Sequence, residues 1–340
     1  MEKIVIPVFL GTNTAIVKIP EIKMNESKKN RLIAEARTLR ALYYFNLVRF
    51  FGDVPLILDL KTVEDSKGPR DSKELIYDQI IEDLTFAEEH LPLRSEYSAS
   101  DEGRINKGAA IILFGKVYLT KGDFQKAKDK LAEVVEHESE YGFGLHKDYH
   151  ANWLRDTEAG IEAVLYIEYK EPPFQHNGEM ALAGPKYSIP GSLGISALNE
   201  ADIPTQELYD QFDNRDLRKK TNFKTEFAHL KTGEILKSSI PLSGKFWVEG
   251  LETGDRCDVN MHIIRYADAI LMYAEALNEV GESTKALAML NRIRERAFGD
   301  DSGNFKPMSK DEFRTAILNE RRLEFPHEGH RWFDLVRTGT

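Results

Sequence analysis

The amino-acid sequence predicts a mainly α-helical protein, built from stacked pairs of helices with a large loop-rich insertion. Three observations support this: a long helical pattern over residues 26–51, a pair of helices that occurs twice, and a stretch crowded with glycine and proline between the two copies. With 340 residues, the chain exceeds the ~250–300 residues at which a single hydrophobic core stops growing. Insertions or two lobes are therefore expected.

Composition and charge exclude several classes of protein. The 46 basic and 56 acidic side chains give a formal net charge of −10. An acidic chain lacks the clustered Lys and Arg that bind phosphates, so we expect no nucleic-acid partner. Hydrophobic residues make up 41% of the chain, enough to bury a core. The single cysteine, Cys257, excludes an internal disulfide and zinc sites built from two or four cysteines.

The first residues give only weak evidence of a membrane span, a signal peptide or regular structure. An apolar run over residues 4–10 contains Pro7. It is too short for a membrane span, which needs ~20 apolar residues, and short for the core of a signal peptide. We expect a loop or an edge strand there. The chain stops directly after an amphipathic segment, so we expect either a short protein or a longer one that lacks both ends here.

A long helix is predicted over residues 26–51. Its apolar residues recur at steps of three and four, which places them on one face, and Gly52 and Pro55 follow as stop signals. Asp71 and Ser72 cap a second helix, and Pro92 lies beyond its end. The positions expected to be buried are Leu32, Ile33, Ala36, Leu39, Ala41, Tyr43, Tyr44, Leu47, Val48, Phe50 and Phe51 in the first helix, and Leu75, Ile76, Ile80, Leu84 and Ala87 in the second.

A pair of helices over residues 104–138 recurs over residues 265–297. In both copies a glycine marks the turn and an Ala-x-x-x-Leu pattern follows, as in tetratricopeptide repeats of ~34 residues. Such pairs bury their apolar faces only by stacking on neighbours. With flanking pairs at 26–91 and 310–337, the sequence predicts a tetratricopeptide-like α-α superhelix. The matching residues are Gly122 and Gly281, Ala127 and Ala286, and Leu131 and Leu290.

Residues 141–260 differ from both copies. Glycine and proline interrupt them repeatedly, and only short apolar runs at 163–167 and 245–248 are typical of strands. A structureless stretch of this length is uncommon inside a compact domain, and functional residues concentrate on loops. We therefore interpret residues 1–140 and 261–340 as a helical scaffold and residues 141–260 as an inserted ligand-binding lobe.

Motifs for catalysis or metal binding are not found. The two histidines of His327-Glu328-Gly329-His330 are three residues apart, whereas a helical zinc motif needs four, so a structural or solvated role is favoured. Residues 190–194 lack the first glycine of a nucleophile elbow. We therefore predict a protein that is not an enzyme and needs no metal or cofactor.

Aromatic residues of the loop-rich lobe are the candidate ligand contacts. They lie beside polar residues, and such surfaces suit sugars, whose C–H faces stack on rings while their hydroxyls form hydrogen bonds. The alternative is that these rings anchor a core with little regular structure. Trp332 lies in a helical stripe with Phe333, Leu335 and Val336, so we assign it to the core. The candidates are Trp153, Phe174, Tyr187, Phe246 and Trp247.

Arginines lie within or beside apolar stripes at residues 34–40 and 319–324. A partly buried guanidinium needs a carboxylate or carbonyl partner, because stranding it costs several kcal/mol. We interpret these arginines as members of structural ion networks that join helices, with catalysis the weaker alternative. The carboxylates available to them are Glu35, Glu320, Glu324, Glu328 and Asp334.

Three long segments resemble one known family. Residues 33–57 (IAEARTLRALYYFNLVRFFGDVPLI), 265–281 (RYADAILMYAEALNEVG) and 319–337 (NERRLEFPHEGHRWFDLVR) resemble, in the same order, motifs of the SusD/RagB family of outer-membrane nutrient-binding lipoproteins. The resemblance covers most of the chain from about Asn13 onward. The motif residues are interpreted as scaffold positions: Glu35, Arg37, Arg40, Arg265, Glu275, Glu320, Arg321, Arg322, Glu328, Gly329, Arg331, Asp334 and Arg337.

The resemblance implies a function as well as a fold. It implies a lipid-anchored protein at the outer-membrane cell surface that caps a SusC-like TonB-dependent transporter and captures a glycan or peptide for import. Family members carry a lipid-anchored cysteine near their start, and Cys257 is not that residue. The alternative is a tetratricopeptide scaffold that binds only protein or peptide partners. A glycoside hydrolase is a weaker third hypothesis, which would require the release of reducing ends.

Overall fold

A computed structural model describes residues 2–59, 68–170, 177–189 and 192–340. The chain forms two compact units, Met1–Gly142 and Phe143–Thr340. Residues 143–260 share the second unit with residues 261–340. The grouping of residues 261–340 with 1–140 as one scaffold stays a prediction. None of the helices in these described ranges is both long enough and apolar enough to cross a membrane.

The first unit consists of helices. Side-chain oxygens of Asn25, Ser72, Asn106 and Asp123 accept backbone N–H bonds at the starts of four of them, which satisfies donors that a helix start leaves free. Neighbouring helices pack in chain order, α1 on α2, α2 on α3, α3 on α4 and α4 on α5. The helices are α1 Glu2–Lys18, α2 Glu26–Phe51, α3 Lys73–His90, α4 Lys107–Lys121, α5 Phe124–Val135 and α6 Glu138–Tyr141.

Helix α1 corrects the expectation of a loop or edge strand at residues 4–10. The ring of Phe9 packs on Tyr44 of α2 with centroids 4.4 Å apart, and the Asn13 amide donates to the Ile57 carbonyl at 2.8 Å. The expectation of a loop or edge strand rests only on the length of the apolar run at residues 4–10. Contacts with a neighbouring helix stabilise a helix that its own sequence supports weakly.

Helix α2 has the predicted bounds, and its predicted burial is confirmed only in part. Residues such as Ile33, Tyr44 and Val48 are buried, whereas Phe50 is 56% exposed and Phe51 41% exposed at its end. Helix α3 confirms the second predicted helix, capped by Ser72. Its stripe is buried except for Leu75, which is exposed.

Both copies of the predicted helix pair are present. Helices α4 and α5 turn at Gly122 with φ +78°, and α10 and α11 turn at Gly281 with φ +89°. These left-handed conformations favour glycine, because a Cβ would crowd the carbonyl group next to it in the chain. Gly115 allows α5 to approach α4 closely, since a Cβ at this position would lie 2.5 Å from Leu131 Cγ.

The second unit adds strands and short helices. Strands β1 and β4 pair antiparallel, as do β2 and β3. The helices are α7 Glu179–Ala183, α8 Gln206–Gln211, α9 Lys219–Asn222, α10 Tyr266–Glu279, α11 Ser283–Phe298, α12 Lys310–Glu324 and α13 Arg331–Thr338. The strands are β1 Ala163–Ile167, β2 Phe223–Ala228, β3 Ile235–Ser243 and β4 Met261–Arg265.

Of the two predicted strands, the one at residues 163–167 is confirmed and the one at residues 245–248 is wrong. The latter residues form a turn after β3, closed by a hydrogen bond from Trp247 N to the Gly244 carbonyl at 3.2 Å. Phe246 lies in a buried hydrophobic cluster, and Trp247 packs against it. The apolar run therefore reflects anchoring of a loop in the core, which periodicity alone does not separate from a strand.

Candidate functional site

Arg265 is the centre of a buried ion network in the second unit. It lies where β4 ends and α10 begins. Its guanidinium donates to Glu162 at 2.5 Å, to Glu324 at 3.0 Å, and to both carboxylate oxygens of Glu328 at 2.7 and 2.9 Å. These four side chains are at most 3% exposed. Opposite charges in direct contact make their burial tolerable, because an unpaired buried charge is strongly destabilising.

Two further arginine side chains donate hydrogen bonds to Glu324 of α12. Arg296 of α11 donates to it at 2.5 Å and Arg218 at 3.0 Å. Burial opposes ionisation of this carboxyl, but Arg296, Arg265 and Arg218 outweigh burial and lower its pKa to about 2. Glu324 therefore remains a carboxylate and joins β4, α11, α12 and the segment before α9.

Lys245 connects this network to the aromatic residues of the loop-rich segment. Its ammonium lies 2.5 Å from Glu328 Oε1 and 4.6 Å from the centre of the Trp153 ring. Burial lowers the pKa of Lys245 to about 8, although Glu328 acts in the opposite direction. Neither Lys245 nor Glu162 belongs to a spaced motif, so the sequence alone does not indicate their role.

The third motif forms a second ion network between α10, α12 and α13. Arg321 donates to Asp268 and to Asp334, both at 2.8 Å, and Arg337 donates to Glu275 and Asp334. All five side chains are at most 9% exposed. Other motif residues are placed as follows: Arg322 pairs with Glu207, Glu320 pairs with Arg218 and Arg294, and Gly329 has φ +72° in the turn before α13.

The first motif lies in the other unit and forms its own ion pairs. Arg40 of α2 donates two bonds to Asp83 of α3 at 2.7 and 2.8 Å and one to Asn13 at 3.0 Å. Burial raises the pKa of Asp83 although Arg40 acts against it. Asp83 was not among the carboxylates that the sequence offered as partners. The neighbouring motif residues pair with other segments too: Glu35 with Arg104 in the loop before α4, and Arg37 with Glu82 of α3.

A pocket of about 610 Å³ opens beside these networks in the second unit. Buried Trp153 and Phe246 border it, and Trp332, 61% exposed, lines it as well. Polar groups line it from several elements, including Glu179, whose pKa is raised by burial and then by Asp202. The remaining lining residues are Asp202, Pro204, Thr205, Leu208, Met261, His262, Arg321, Arg322, Phe325, Pro326, His327, Glu328, Gly329 and Arg331.

The exposure of Trp332 corrects its assignment to the core. Val336, one turn further along α13, is also exposed, at 54%. The face of α13 that turns inward carries Asp334 and Arg337, because Arg321 offers Asp334 a buried partner. The indole ring at the pocket is therefore available to a ligand.

The five aromatic candidates occupy different environments. Trp153 and Phe246 are each 4% exposed and share one hydrophobic cluster. Trp247 packs between that cluster and a second one. Tyr187 is 75% exposed on the loop after α7 and does not line the pocket. Phe174 lies outside the described residues. The structure therefore brings Trp153 and Phe246 together at the pocket, and it presents Tyr187 elsewhere.

The two histidines around Glu328 lie close to carboxylates. His327 Nδ1 is 3.1 Å from Asp202, and His330 Nδ1 is 3.8 Å from Asp268. Within the described ranges, no three His, Cys, Asp or Glu side chains form a group that could hold a metal ion.

Comparisons with known proteins agree on one family. A sequence model described as the SusD family matches residues 241–340, and one described as starch-binding, associating with outer membrane, matches residues 8–119. SusD-like protein P2 of Formosa agariphila is 31% identical to this chain over 96% of the chain and 69% of that protein.

Solved structures show the same fold. A SusD superfamily protein from Parabacteroides distasonis has a TM-score of 0.83 at 27% identity, covering 97% of this chain and 73% of that one. A laminarin-binding SusD-like protein has a TM-score of 0.78 at 29% identity, covering 98% and 76%. The predicted mainly helical, SusD-like fold class is thereby confirmed.

Proposed function

Because this chain belongs to the SusD/RagB family, we propose that it is a non-catalytic surface protein that captures an oligosaccharide for import. The comparisons support a glycan ligand, since one matching family model is described as starch-binding and one similar solved structure is named as laminarin-binding. The residues of this chain support it independently. A sugar needs an exposed aromatic face together with polar groups for its hydroxyls.

The pocket beside Trp332 is the observation that carries the proposal. The exposed indole offers a face for the C–H surface of a pyranose ring, while Glu179, Arg331 and Thr205 offer hydrogen-bonding groups around it. About 610 Å³ lies within the ~300–1,000 Å³ typical of small-molecule sites. Trp153 and Phe246, with their rings almost fully buried, support the wall of this pocket.

The pairing of the pocket carboxylates supports binding without hydrolysis. A glycosidase needs two carboxyl groups, one on either side of the scissile bond, the first as acid and the second as base or nucleophile. Glu179 is the candidate acid, since its pKa is raised. The other two carboxylates that line the pocket already have partners. Asp202 lies 3.1 Å from His327 Nδ1, and Glu328 pairs with Arg265 and Lys245. Such bonds hold carboxylates in place and reduce their basicity.

Calorimetry against a panel of oligosaccharides and peptides tests this proposal. We expect micromolar or weaker binding of at least one oligosaccharide, weakened about tenfold by Trp332→Ala, which corresponds to ~1.4 kcal/mol. The matched control is Val336→Ala, since Val336 is exposed on the same helix and does not line the pocket. Binding of peptides alone, binding of nothing in the panel, or reducing ends released from a bound glycan would each reject the proposal.

Family membership supports a transporter partner and a lipid anchor. We propose that the full-length protein is attached to the outer membrane and caps a SusC-like TonB-dependent transporter. Purification of the tagged full-length protein from detergent-extracted outer membranes tests this. We expect a TonB-dependent transporter, identified by mass spectrometry, in about equal amounts with the bait. Recovery of the bait without any transporter contradicts this part of the proposal.

A further inference from the structure

The Tyr187 loop combines an exposed ring with a firmly held backbone. Tyr187 is 75% exposed, but its neighbours Ser188 and Ile189 are 7% and 5% exposed. Ile189 belongs to a hydrophobic cluster with Phe227 and two leucines, and Ser239 of β3 donates its N–H to the Ser188 carbonyl at 2.9 Å. The ring therefore projects from backbone that is anchored directly behind it.

A single carboxylate holds this backbone. Glu200 Oε2 accepts the N–H groups of three consecutive residues: Lys186 at 2.7 Å, Tyr187 at 2.5 Å and Ser188 at 3.0 Å. Burial alone would raise the pKa of Glu200, but these backbone N–H groups outweigh burial and lower its pKa below the ordinary value of 4.5. The carboxylate is therefore charged at neutral pH, when its hydrogen bonds are strongest.

The backbone around Glu200 adopts an unfavourable conformation to reach this position. Glu200 has φ +54° and Ala197 has φ +58°, a region that residues with a Cβ rarely occupy. Backbone bonds pin the segment to α7: Asn199 N donates to the Ala181 carbonyl at 2.7 Å, and Ala201 N donates to the Leu182 carbonyl at 2.7 Å. Local strain of this kind persists only where surrounding contacts fix it, and it concentrates at functional sites.

We propose that Glu200 is a positioning residue that holds Tyr187 as a preformed stacking platform for one sugar ring of the captured glycan. This inference rests on the proposed function and adds a contact outside the pocket. The Lys186 ammonium lies over one face of the Tyr187 ring, 5.1 Å from its centre, so the sugar would stack on the opposite face. Because the three N–H bonds already fix the loop, binding avoids the entropy loss of ordering it.

A double-mutant cycle tests this role with the oligosaccharide that binds best in the panel. We expect Tyr187→Ala and Glu200→Gln each to weaken binding about tenfold, or ~1.4 kcal/mol. The double variant should bind no more weakly than Tyr187→Ala, since Glu200 acts through Tyr187. Glu226→Gln is the matched control, because Glu226 is exposed and pairs only with exposed Lys237 among the described residues.

Two further readouts separate positioning from a general effect on folding. Amide hydrogen exchange at residues 186–188 should speed up in Glu200→Gln, while exchange in α10 and α12 stays unchanged. The affinity of the wild-type protein should decrease as the pH drops below 4.5, because Glu200 becomes protonated. The Glu200→Gln variant should lack this decrease. Because Glu200 acts through Tyr187, the Tyr187→Ala variant should lack this decrease as well, so the titration still tests the role if Glu200→Gln folds poorly.

The possible failures are distinguishable. Equal loss from Glu200→Gln with and without Tyr187 overturns the positioning role, as does unchanged affinity in either single variant. In those cases the proposed function stands as long as Trp332→Ala still weakens binding. If wild-type protein binds no oligosaccharide, the proposed function fails and this inference fails with it.

Discussion

Replacing Glu324 by glutamine removes the central anion of the buried ion network. Glu324 is fully buried, and its carboxylate forms ion pairs with Arg296 at 2.5 Å, Arg265 at 3.0 Å and Arg218 at 3.0 Å. The substitution keeps the size of the side chain and removes its charge. Three guanidiniums then remain buried with less negative charge to balance them, a situation that destabilises folded proteins.

The magnitude follows from the pKa of Glu324. Its value falls from an ordinary 4.5 to about 2 in the folded protein, and each unit corresponds to 1.36 kcal/mol. The charged form therefore contributes about 3 kcal/mol to the free energy of unfolding at pH 7, the lower end of the ~3–5 kcal/mol lost when a buried ion pair is broken. A depressed carboxyl pKa stabilises above pH 4.5, and this contribution disappears as the pH falls from 4.5 toward 2.

Urea unfolding followed by tryptophan fluorescence is a suitable assay. The three tryptophans of the chain, Trp153, Trp247 and Trp332, all lie in the unit Phe143–Thr340. The signal therefore reports on the unit that contains Glu324. Wild-type and Glu324→Gln proteins are compared at pH 7, 5 and 3.

The control and the pH series decide the outcome. Among the residues that the structure describes, Glu226→Gln breaks only an exposed ion pair with Lys237, and such pairs contribute ~0–1 kcal/mol. We expect the difference between wild type and Glu324→Gln to be about 3 kcal/mol at pH 7 and clearly smaller at pH 3. A loss no larger than that of Glu226→Gln, or one that is equal at all three pH values, refutes the reasoning.

Three further predictions concern packing and burial. Gly115→Val should destabilise the first unit by ~1–3 kcal/mol, because the valine Cβ would lie 2.5 Å from Leu131 Cγ. Circular-dichroism melts measure this loss, and an unchanged melting temperature contradicts the close approach of α4 and α5. Arg40→Ala should cost up to ~3–5 kcal/mol, because it removes the two-bond partner of buried Asp83 and leaves it with Arg37 at 3.5 Å and Gln79 at 3.3 Å. Adding Asp83→Leu should restore part of this loss, and no rescue would argue against the ion pair as the cause. The thiol of Cys257, buried and with its pKa raised to about 11, should react with a disulfide reagent only after unfolding, so rapid reaction of native protein rules out its burial.

The helices were predictable from the sequence where local signals agreed with packing. The repeated pair was found because Gly122 and Gly281 are needed for left-handed turns and the apolar residues around them are also the buried ones. Helix α1 was missed, since its support comes from Phe9 on Tyr44, a contact between segments that periodicity does not describe. Trp247 illustrates the same limit, because an apolar run in a loop anchor resembles a strand.

The candidate site was less predictable, because its geometry depends on residues far apart in sequence. The pocket combines Trp153, Glu179 and Trp332, and no spacing rule connects them. Tyr187 was named for its residue type, but its firmly held backbone depends on Glu200, which no motif identified. Sequence periodicity does not identify a carboxylate that accepts N–H bonds from another loop.

Helix α13 shows why an amphipathic pattern does not determine which face is buried. Trp332 and Val336 are one turn apart, and Asp334 and Arg337 occupy another face, so hydrophobicity alone favours burying the tryptophan. The structure does the reverse: Asp334 is 4% exposed and Trp332 is 61% exposed. Turning α13 to bury the indole would take Asp334 away from Arg321 and Arg337 and leave Arg321 with Asp268. Breaking a buried ion pair costs ~3–5 kcal/mol, more than the ~1.5–3 kcal/mol gained by burying one large apolar side chain. Charge pairing thus sets the rotation of the helix and leaves the indole facing the pocket.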